Sequence, residues 1–257
     1  MTAGDGLRRV EVLGLDVVAA NLETAARAVV ERALTGEGGY ACLFNVHVAV
    51  ETSRRDDVRR ALTRAWAVFP DGWPIAALAR AAEPAGGTAQ RIPGPELMPR
   101  VLERGSGRGL RHFLLGGTED TVARLEAGLR DRFPAAEVAG AFAPPFAPTA
   151  AEVDPRAVAA VQEAHPHVVW CALGAPKQEL WMELNADALA PAVAVGVGAA
   201  FDFLAGTKER APQWMQRGGL EWLHRLLSEP GRLGRRYAVT NTRFALLAAR
   251  ELRRRRR

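Results

Sequence analysis

Two short apolar runs that each end on glycine constrain this sequence more than any other feature. The first, Val168–Ala172, breaks at Gly174, and the second, residues 192–197, ends at Gly198 with Asp202 close behind it. Buried strands of a parallel sheet have this continuous apolar character, and their carboxyl ends form the ligand crevice of open α/β sheets. We therefore predict a ligand site where these two strands end.

The chain before these runs alternates strand-like apolar stretches with helical patterns. Further strands are predicted at residues 10–18, 40–47, 66–69, 111–115 and 136–141, and helices at residues 22–34, 74–82, 121–132 and 154–163, with others ending near residues 64 and 104. Asn21 is a suitable N-cap for the first helix. This rhythm predicts an α/β fold, a Rossmann-like and mostly parallel sheet flanked by helices.

Basic charge is concentrated near the end of the sequence. Residues 208–257 hold 14 of the 34 Lys and Arg but four of the 29 Asp and Glu, which gives this segment a formal charge of +10 and the rest −5. Two helices are predicted there, at residues 212–227 and 241–252, separated by Pro230 and Gly231. A basic amphipathic segment indicates contact with anionic lipid or nucleic acid, although a solvated helical lid has the same charge pattern. We predict an α/β catalytic domain at residues 1–207 and a basic helical appendage at residues 208–257.

The composition is that of a globular protein, with 48% hydrophobic and 25% charged residues. No run of 18 apolar residues occurs and the first nine residues contain no apolar segment, so we expect neither a membrane span nor a signal peptide. Cys42 and Cys171 each lie inside an apolar run, which predicts free buried thiols in a reducing cytosol and not metal ligands.

Asp71 is the best candidate for acid–base chemistry. It lies in Pro70-Asp71-Gly72, a turn that follows a predicted strand, where a partly desolvated carboxylate can reach a ligand. An aspartate chosen only for turn formation would explain the same pattern. Gln178, one turn into its predicted helix, has two interpretations as well, a ligand donor or a helix-surface amide.

Two glycine motifs indicate phosphate binding by backbone N–H groups. Gly116 and Gly117, followed by Thr118, stand between a strand and the predicted helix 121–132, which is a favourable place for a phosphate. Gly196-Val197-Gly198 is close to the dinucleotide fingerprint, but Phe201 replaces its third glycine. No Asp-x-Asp motif is present, so we expect no metal ion and no cofactor, with the charge of a diphosphate met by Arg, Lys and backbone amides.

A set of short motifs runs through nearly the whole chain. It comprises Asn45 with His47, residues 70–72, Arg91 to Gly94, residues 114–117, 174–179, 196–198 with Phe201 and Asp202, 210–212, 219–223 with Arg225, and 229–237. In this order they resemble the WecG/TagA/CpsF family of bacterial glycosyltransferases (glycosyltransferase family 26).

The resemblance implies an inverting transferase that moves a sugar, N-acetylmannosamine-like or another hexose, from a UDP-sugar to a polyprenyl-diphosphate-linked saccharide. It implies peripheral attachment at the cytoplasmic face of the cell membrane and a role in cell-surface polysaccharide synthesis. Asp71 would be the catalytic base, and the substrate-binding residues would be Asn45, Arg91, Gln178, Gly116, Gly117, Lys177, Asp202, Arg225, Arg232 and Arg235. The last three would belong to the part of the appendage that meets membrane and lipid diphosphate.

Two other functions are weighed against this one. An NAD(P)-dependent oxidoreductase would use the same kind of sheet, but it requires a fingerprint near the N-terminus, which is absent. A nucleic-acid-binding module would use the basic appendage and leave Asp71 and residues 174–179 unexplained. We expect no nucleic-acid partner, and an exposed apolar face would favour a homo-oligomer.

Overall fold

The centre of the protein is a parallel sheet, as predicted. The computed structural model describes residues 6–84, 87–228 and 230–255. After a two-stranded hairpin, β1 (Arg9–Val12) and β2 (Leu15–Val18), the sheet strands are β3 (Gly39–Phe44), β4 (Ala67–Pro70), β5 (Arg111–Gly116), β6 (Glu137–Phe142), β7 (Val168–Ala172) and β8 (Val193–Gly196). The six are all parallel, in the order β4-β3-β8-β7-β5-β6.

Helices cover both faces of this sheet. They are α1 (Leu22–Thr35), α2 (Val46–Thr52), α3 (Asp56–Arg64), α4 (Trp73–Ala82), α5 (Gly94–Gly105), α6 (Glu119–Arg132), α7 (Arg156–Ala164), α8 (Lys177–Leu189), α9 (Ala200–Leu204), α10 (Gln213–Arg217), α11 (Glu221–Ser228) and α12 (Pro230–Arg255). One core cluster lies against α2, α3, α4, α7, α8 and α12, and the other against α1, α5, α6 and α9. Alternate strand residues face opposite clusters, which is why the strands are apolar throughout.

The strand order creates a switch point between β5 and β7. From β5 the chain passes through α6 to β6 at one edge, whereas from β7 it passes through α8 to β8 in the opposite direction. Helices α6 and α8 accordingly belong to different core clusters. In open α/β sheets the crevice outside the carboxyl ends at such a point is where ligands bind.

Local capping and backbone conformation explain where the observed elements differ from the predicted ones. Residues 10–18 form a hairpin and not one strand, because Leu13 (φ 54°) and Gly14 (φ 75°) make a turn. The predicted strand 40–47 ends at Phe44, because the Asn45 side chain caps α2. Residues 46–64 form two helices. The predicted Asn21 cap is confirmed, since its side chain accepts a hydrogen bond from the Thr24 N–H at 2.8 Å.

The C-terminal helices also differ from the prediction. Residues 212–227 are divided into α10 and α11 by a turn in which Gly219 has φ 71°. Pro230 and Gly231 do not separate two helices as predicted: Pro230 is the first residue of the 26-residue α12. Proline is tolerated in the first turn of a helix. Helix α12 packs against α2, and its Phe244 is buried in the core. Within the part of the chain that is described, no helix has both the length and the hydropathy to cross a bilayer.

Candidate active site

Asn45 and Asp71 lie side by side at the carboxyl edge of the sheet. Phe44 and Pro70 are register partners of the neighbouring strands β3 and β4, and each of the two polar residues directly follows one of them. The Asp71 N–H donates a hydrogen bond to the Phe44 carbonyl at 2.9 Å, which extends the ladder by one residue. The adjacent ends of β3 and β4 therefore bring Asn45 and Asp71 together.

Each of these residues is oriented by the helix that follows it. The Asn45 Oδ1 accepts a hydrogen bond from the Val48 N–H at 3.1 Å, so this side chain caps α2. Asp71 is half-buried and precedes Gly72, whose φ of 90° turns the chain into α4. Gly72 thus permits the sharp turn that leaves Asp71 at the strand end and not within the helix.

Arg91 joins the same edge and enters an ion-pair network with the C-terminal segment. The Ile92 N–H donates to the Pro70 carbonyl at 2.7 Å, which brings Arg91 next to the Asp71 turn. Two arginines and two glutamates then form what we call the Arg–Glu network. Its contacts are Arg91 Nη1 to Glu221 Oε2 at 2.6 Å, Arg91 Nη2 to Glu96 Oε1 at 3.1 Å, Arg210 Nη2 to Glu96 Oε1 at 2.6 Å and Arg210 Nε to Glu221 Oε1 at 3.4 Å.

Trp73 provides a second attachment for the C-terminal segment. The indole Nε1–H donates to the Gln216 carbonyl at 2.9 Å. A Cβ atom at Gly219 would lie 2.9 Å from Trp73 Cδ1, so only glycine lets this turn approach the ring so closely. Because Trp73 follows Asp71 by two residues, α10 and the start of α11 are held beside the candidate base.

Gln178 is a buried bridge. Its side chain is 3% exposed, which excludes the interpretation as a helix-surface amide. Its Oε1 accepts from the Gly198 N–H at 3.0 Å and its Nε2 donates to Glu179 Oε1 at 2.9 Å. Gly198 follows β8, the neighbour of β3, so Gln178 belongs to the same edge of the sheet as Asn45.

The Gly116–Gly117 turn lies at the switch point, farther along the edge. Gly116 has φ 109°, and a Cβ atom there would lie 2.6 Å from the Ala172 carbonyl carbon. Thr118 caps α6 by accepting from the Thr121 N–H at 3.2 Å. Four strand spacings separate β5 from β4, roughly 19 Å, so a ligand that touched both Gly117 and Asp71 would have to be extended.

Two more predicted binding residues have partners within the protein. Lys177 Nζ donates to the Ala147 carbonyl at 2.7 Å and lies 4.9 Å from the centre of the Phe146 ring, which holds the loop of residues 143–148, after β6, against α8. Asp202, in α9, forms an ion pair with Lys208 at 3.0 Å. The side chains of Arg225, Arg232 and Arg235, in α11 and α12, lie outside the described residues.

One carboxyl group beneath this edge has an unusual environment. Glu179 is fully buried, and burial raises its pKa to about 7, against the lowering effect of the Gln178 hydrogen bond. Cys42 and Cys171 are free and buried, as predicted, and burial raises the pKa of both thiols. In the described ranges no group of three or more His, Cys, Asp or Glu is arranged to hold a metal ion.

The sequence did not indicate the Arg–Glu network or the burial of Glu179. Arg91 and Glu221 are 130 residues apart and Glu96 and Arg210 are 114 apart, so no local pattern connects them. A signal for Glu179 did exist, since this acid lies in the first turn of a helix, close to the apolar residues Trp181 and Met182.

Comparisons with known proteins identify the family. The sequence model described as the Glycosyl transferase WecG/TagA/CpsF family matches residues 10–257. The chain is 28% identical over 204 residues to a protein of Bacillus spizizenii (strain ATCC 23059 / NRRL B-14472 / W23), the N-acetylglucosaminyldiphosphoundecaprenol N-acetyl-beta-D-mannosaminyltransferase, and the match covers 79% of this chain and 76% of that protein. With a match over almost its whole length, this chain belongs to the WecG/TagA/CpsF family and is a glycosyltransferase.

Proposed function

We propose that this glycosyltransferase moves an N-acetylmannosamine-like sugar from a UDP-sugar to a polyprenyl-diphosphate-linked saccharide, with inversion and without a metal ion. The observation that carries the proposal is the meeting of Asn45, Asp71 and Arg91 at one carboxyl edge of the sheet. The activity named for the Bacillus relative supports the acceptor, since it specifies an N-acetylglucosaminyldiphosphoundecaprenol. The lack of an Asp-x-Asp motif supports a metal-free site.

Asp71 is the proposed general base. In an inverting transfer the acceptor hydroxyl oxygen forms a bond to the anomeric carbon as the bond from that carbon to the UDP oxygen breaks, and the hydroxyl proton passes to the base. A half-buried carboxylate at a strand end can take this proton while the helix that follows stays in place. Asn45, whose side chain caps α2, would contact the substrate beside Asp71.

Arginines and backbone amides are the proposed partners of the diphosphate. Guanidinium groups that are already held in place stabilise charge on a leaving group without reorganisation. Arg91 meets this requirement, because Glu96 and Glu221 hold its guanidinium from two sides. The Gly117 turn, Gln178, Lys177 and Asp202 complete the proposed donor site, and Arg225, Arg232 and Arg235 are proposed to meet the lipid diphosphate.

Titration with UDP in the presence of EDTA tests the donor, with NAD⁺ as the control ligand. The proposal predicts saturable binding of UDP alone, and then transfer from a UDP-sugar to a lipid-diphosphate acceptor with the metal still chelated. Binding of NAD⁺ without UDP would refute it, and so would transfer that requires an added metal ion.

The segment of residues 208–257 is proposed as a separate appendage that attaches the enzyme to the cytoplasmic membrane face. Its formal charge is +10, and it exposes large apolar side chains among its basic residues. These are Trp214, Trp222, Leu227, Val239, Leu246 and Leu252. At roughly 1 kcal/mol for each basic residue near an anionic surface, binding should be strong and sensitive to salt. Equal co-sedimentation with neutral and anionic vesicles would contradict this assignment.

A further inference from the structure

We infer that Glu179 is a positioning residue, which holds the Gln178 amide against the turn at Gly198 and thereby fixes the start of α9 and the place of Asp202. The sequence motif that contains Glu179 gave it no role, and the mechanism above does not use it. Only the expected change in the Kd of UDP rests on the proposed function, whereas the expected change in hydrogen exchange at Gly198 does not.

A gap in the sheet makes room for this arrangement. Cys42 of β3 and Cys171 of β7 are both in register with Gly196 of β8, so the three residues form one row across the sheet. A Cβ atom at Gly196 would lie 2.9 Å from Met182 Cε and 3.0 Å from Gln178 Nε2. The missing side chain of Gly196 is therefore the space over which the Gln178 amide lies.

The carboxylate of Glu179 determines which way this amide points. The Gly198 N–H only donates, and Glu179 Oε1 can accept whether the carboxyl group is ionised or protonated, so the Gln178 Oε1 faces the Gly198 N–H and its Nε2 faces Glu179. With an apolar side chain at position 179, Nε2 would lose this acceptor. The amide could then turn, and its NH₂ group would repel the Gly198 N–H.

Folding alone does not account for a carboxyl group at this position. Glu179 is 0% exposed, and its Oε2 has no hydrogen-bond partner among the described residues. Removing a carboxyl group from water costs free energy unless its oxygens are satisfied, and an apolar residue packs better in such a place. The hydrogen bond to Gln178 is what the carboxylate supplies that an apolar side chain would not.

The position of the Gly198 turn passes directly to the proposed donor site. Helix α9 begins two residues after Gly198 and contains Asp202, its third residue. From the other core layer, a Cβ atom at Gly94 would lie 2.7 Å from the Val197 carbonyl oxygen, so α5 is packed tightly against the same turn. A shift of the turn would therefore move Asp202.

Three substitutions separate this role from a general effect on folding. Glu179→Met removes the acceptor, whereas Glu179→Gln keeps a carbonyl oxygen that can accept from Gln178. Glu183→Gln is the matched control, because Glu183 lies one turn later on α8 and pairs only with Arg60 and Arg64 among the described residues. Each variant is compared with wild type for hydrogen exchange at the Gly198 amide and for the Kd of UDP and kcat.

In Glu179→Met the protection of the Gly198 amide should fall about tenfold and the Kd of UDP should rise about tenfold, the effect of one hydrogen bond, with a smaller change in kcat. Glu179→Gln should stay within about threefold of wild type in both measurements, and Glu183→Gln should match wild type. A folded Glu179→Met with wild-type exchange at Gly198 would overturn the inference, and so would equal losses in Glu179→Gln and Glu179→Met.

Two further provisions keep the test decisive. Should Glu179→Met fail to fold, Gly196→Ala takes its place, because its methyl group displaces the Gln178 amide while Glu179 remains. Protection at Gly198 that survives Gly196→Ala would equally overturn the inference. If the wild-type protein does not bind UDP, the proposed donor is wrong, but the exchange measurement still decides the role of Glu179.

Discussion

Replacing Glu179 with glutamine should remove a pH-dependent loss of folding stability. Burial raises the pKa of Glu179 in the folded protein to about 7, whereas its ordinary value is 4.5. The folded state therefore binds this proton more tightly than the unfolded state does. Below pH 4.5 the contribution of this proton to the free energy of unfolding is fully present, and it is lost as the pH rises through about 7.

The magnitude follows from the two pKa values. At roughly 1.4 kcal/mol for each pH unit over which only the folded state is protonated, the wild type should lose about 2.5 kcal/mol relative to Glu179→Gln between pH 5 and pH 8. This difference is a large fraction of the stability of an ordinary domain.

The unfolding free energy of wild type must be compared with that of Glu179→Gln, because a second buried group changes the pH dependence in the opposite direction. Burial, followed by the charge of His167, lowers the pKa of His112 to about 4, so acid favours the unfolded state through this imidazole. Between pH 4.5 and 6.5 the contributions of His112 and Glu179 to wild-type stability offset each other. The Glu179→Gln variant keeps His112, so its stability should rise with pH over this range.

Chemical denaturation at pH 5, 6, 7 and 8 measures this difference, with Glu183→Gln as the control, because the Glu183 carboxylate is paired with Arg60 and Arg64. The variant should gain stability over wild type as the pH rises, while the control should follow wild type. A constant difference between wild type and Glu179→Gln across this range would refute the assignment of a buried carboxyl with a raised pKa.

Two more substitutions test the packing of the sheet edge. Gly116→Ala should lower the free energy of unfolding by more than about 2 kcal/mol, because the new Cβ atom would clash with the Ala172 carbonyl group. Gly107→Ala is the control, because Gly107 also has a positive φ, of 74°, but has open space around it. An equal loss of unfolding free energy in the two variants would contradict the clash. Trp73→Phe removes the hydrogen bond to Gln216 and should increase hydrogen exchange in residues 212–220 by roughly threefold to tenfold, with little change in Tm. Unchanged exchange there would show that this bond does not hold the segment.

The sheet could be predicted from the sequence because its strands are locally distinct. Val168–Ala172 was predicted with its observed bounds, since a buried parallel strand is apolar at every position. The Asn21 cap was equally readable, because capping depends on one side chain and the next turn of helix. The sequence does not predict the hairpin because its turn needs a positive φ at Leu13, a conformation that leucine rarely adopts.

The site could be predicted only as far as strand ends reveal it. The sequence predicts Asp71 in a turn after an apolar strand, as observed, whereas the predicted strand 40–47 encloses Asn45, which in the structure follows Phe44 and caps α2. The partners of Arg91 depend on how a segment 130 residues later folds back, which no periodicity encodes. Pro230 predicts a break between helices because proline disrupts a helix interior, but in the first turn, where it lies here, it costs no hydrogen bond.

Single-turnover transfer by Asp71→Asn tests the central claim most directly. The measurement uses a UDP-sugar and a lipid-diphosphate acceptor with EDTA present, and it includes Asp16→Asn, an exposed residue of the hairpin, as the control carboxylate. If Asp71 takes the acceptor proton, its variant should transfer at a rate roughly 10²–10⁴-fold below wild type while the Kd of UDP changes little. Near-wild-type transfer by a folded Asp71→Asn would show that the base lies elsewhere.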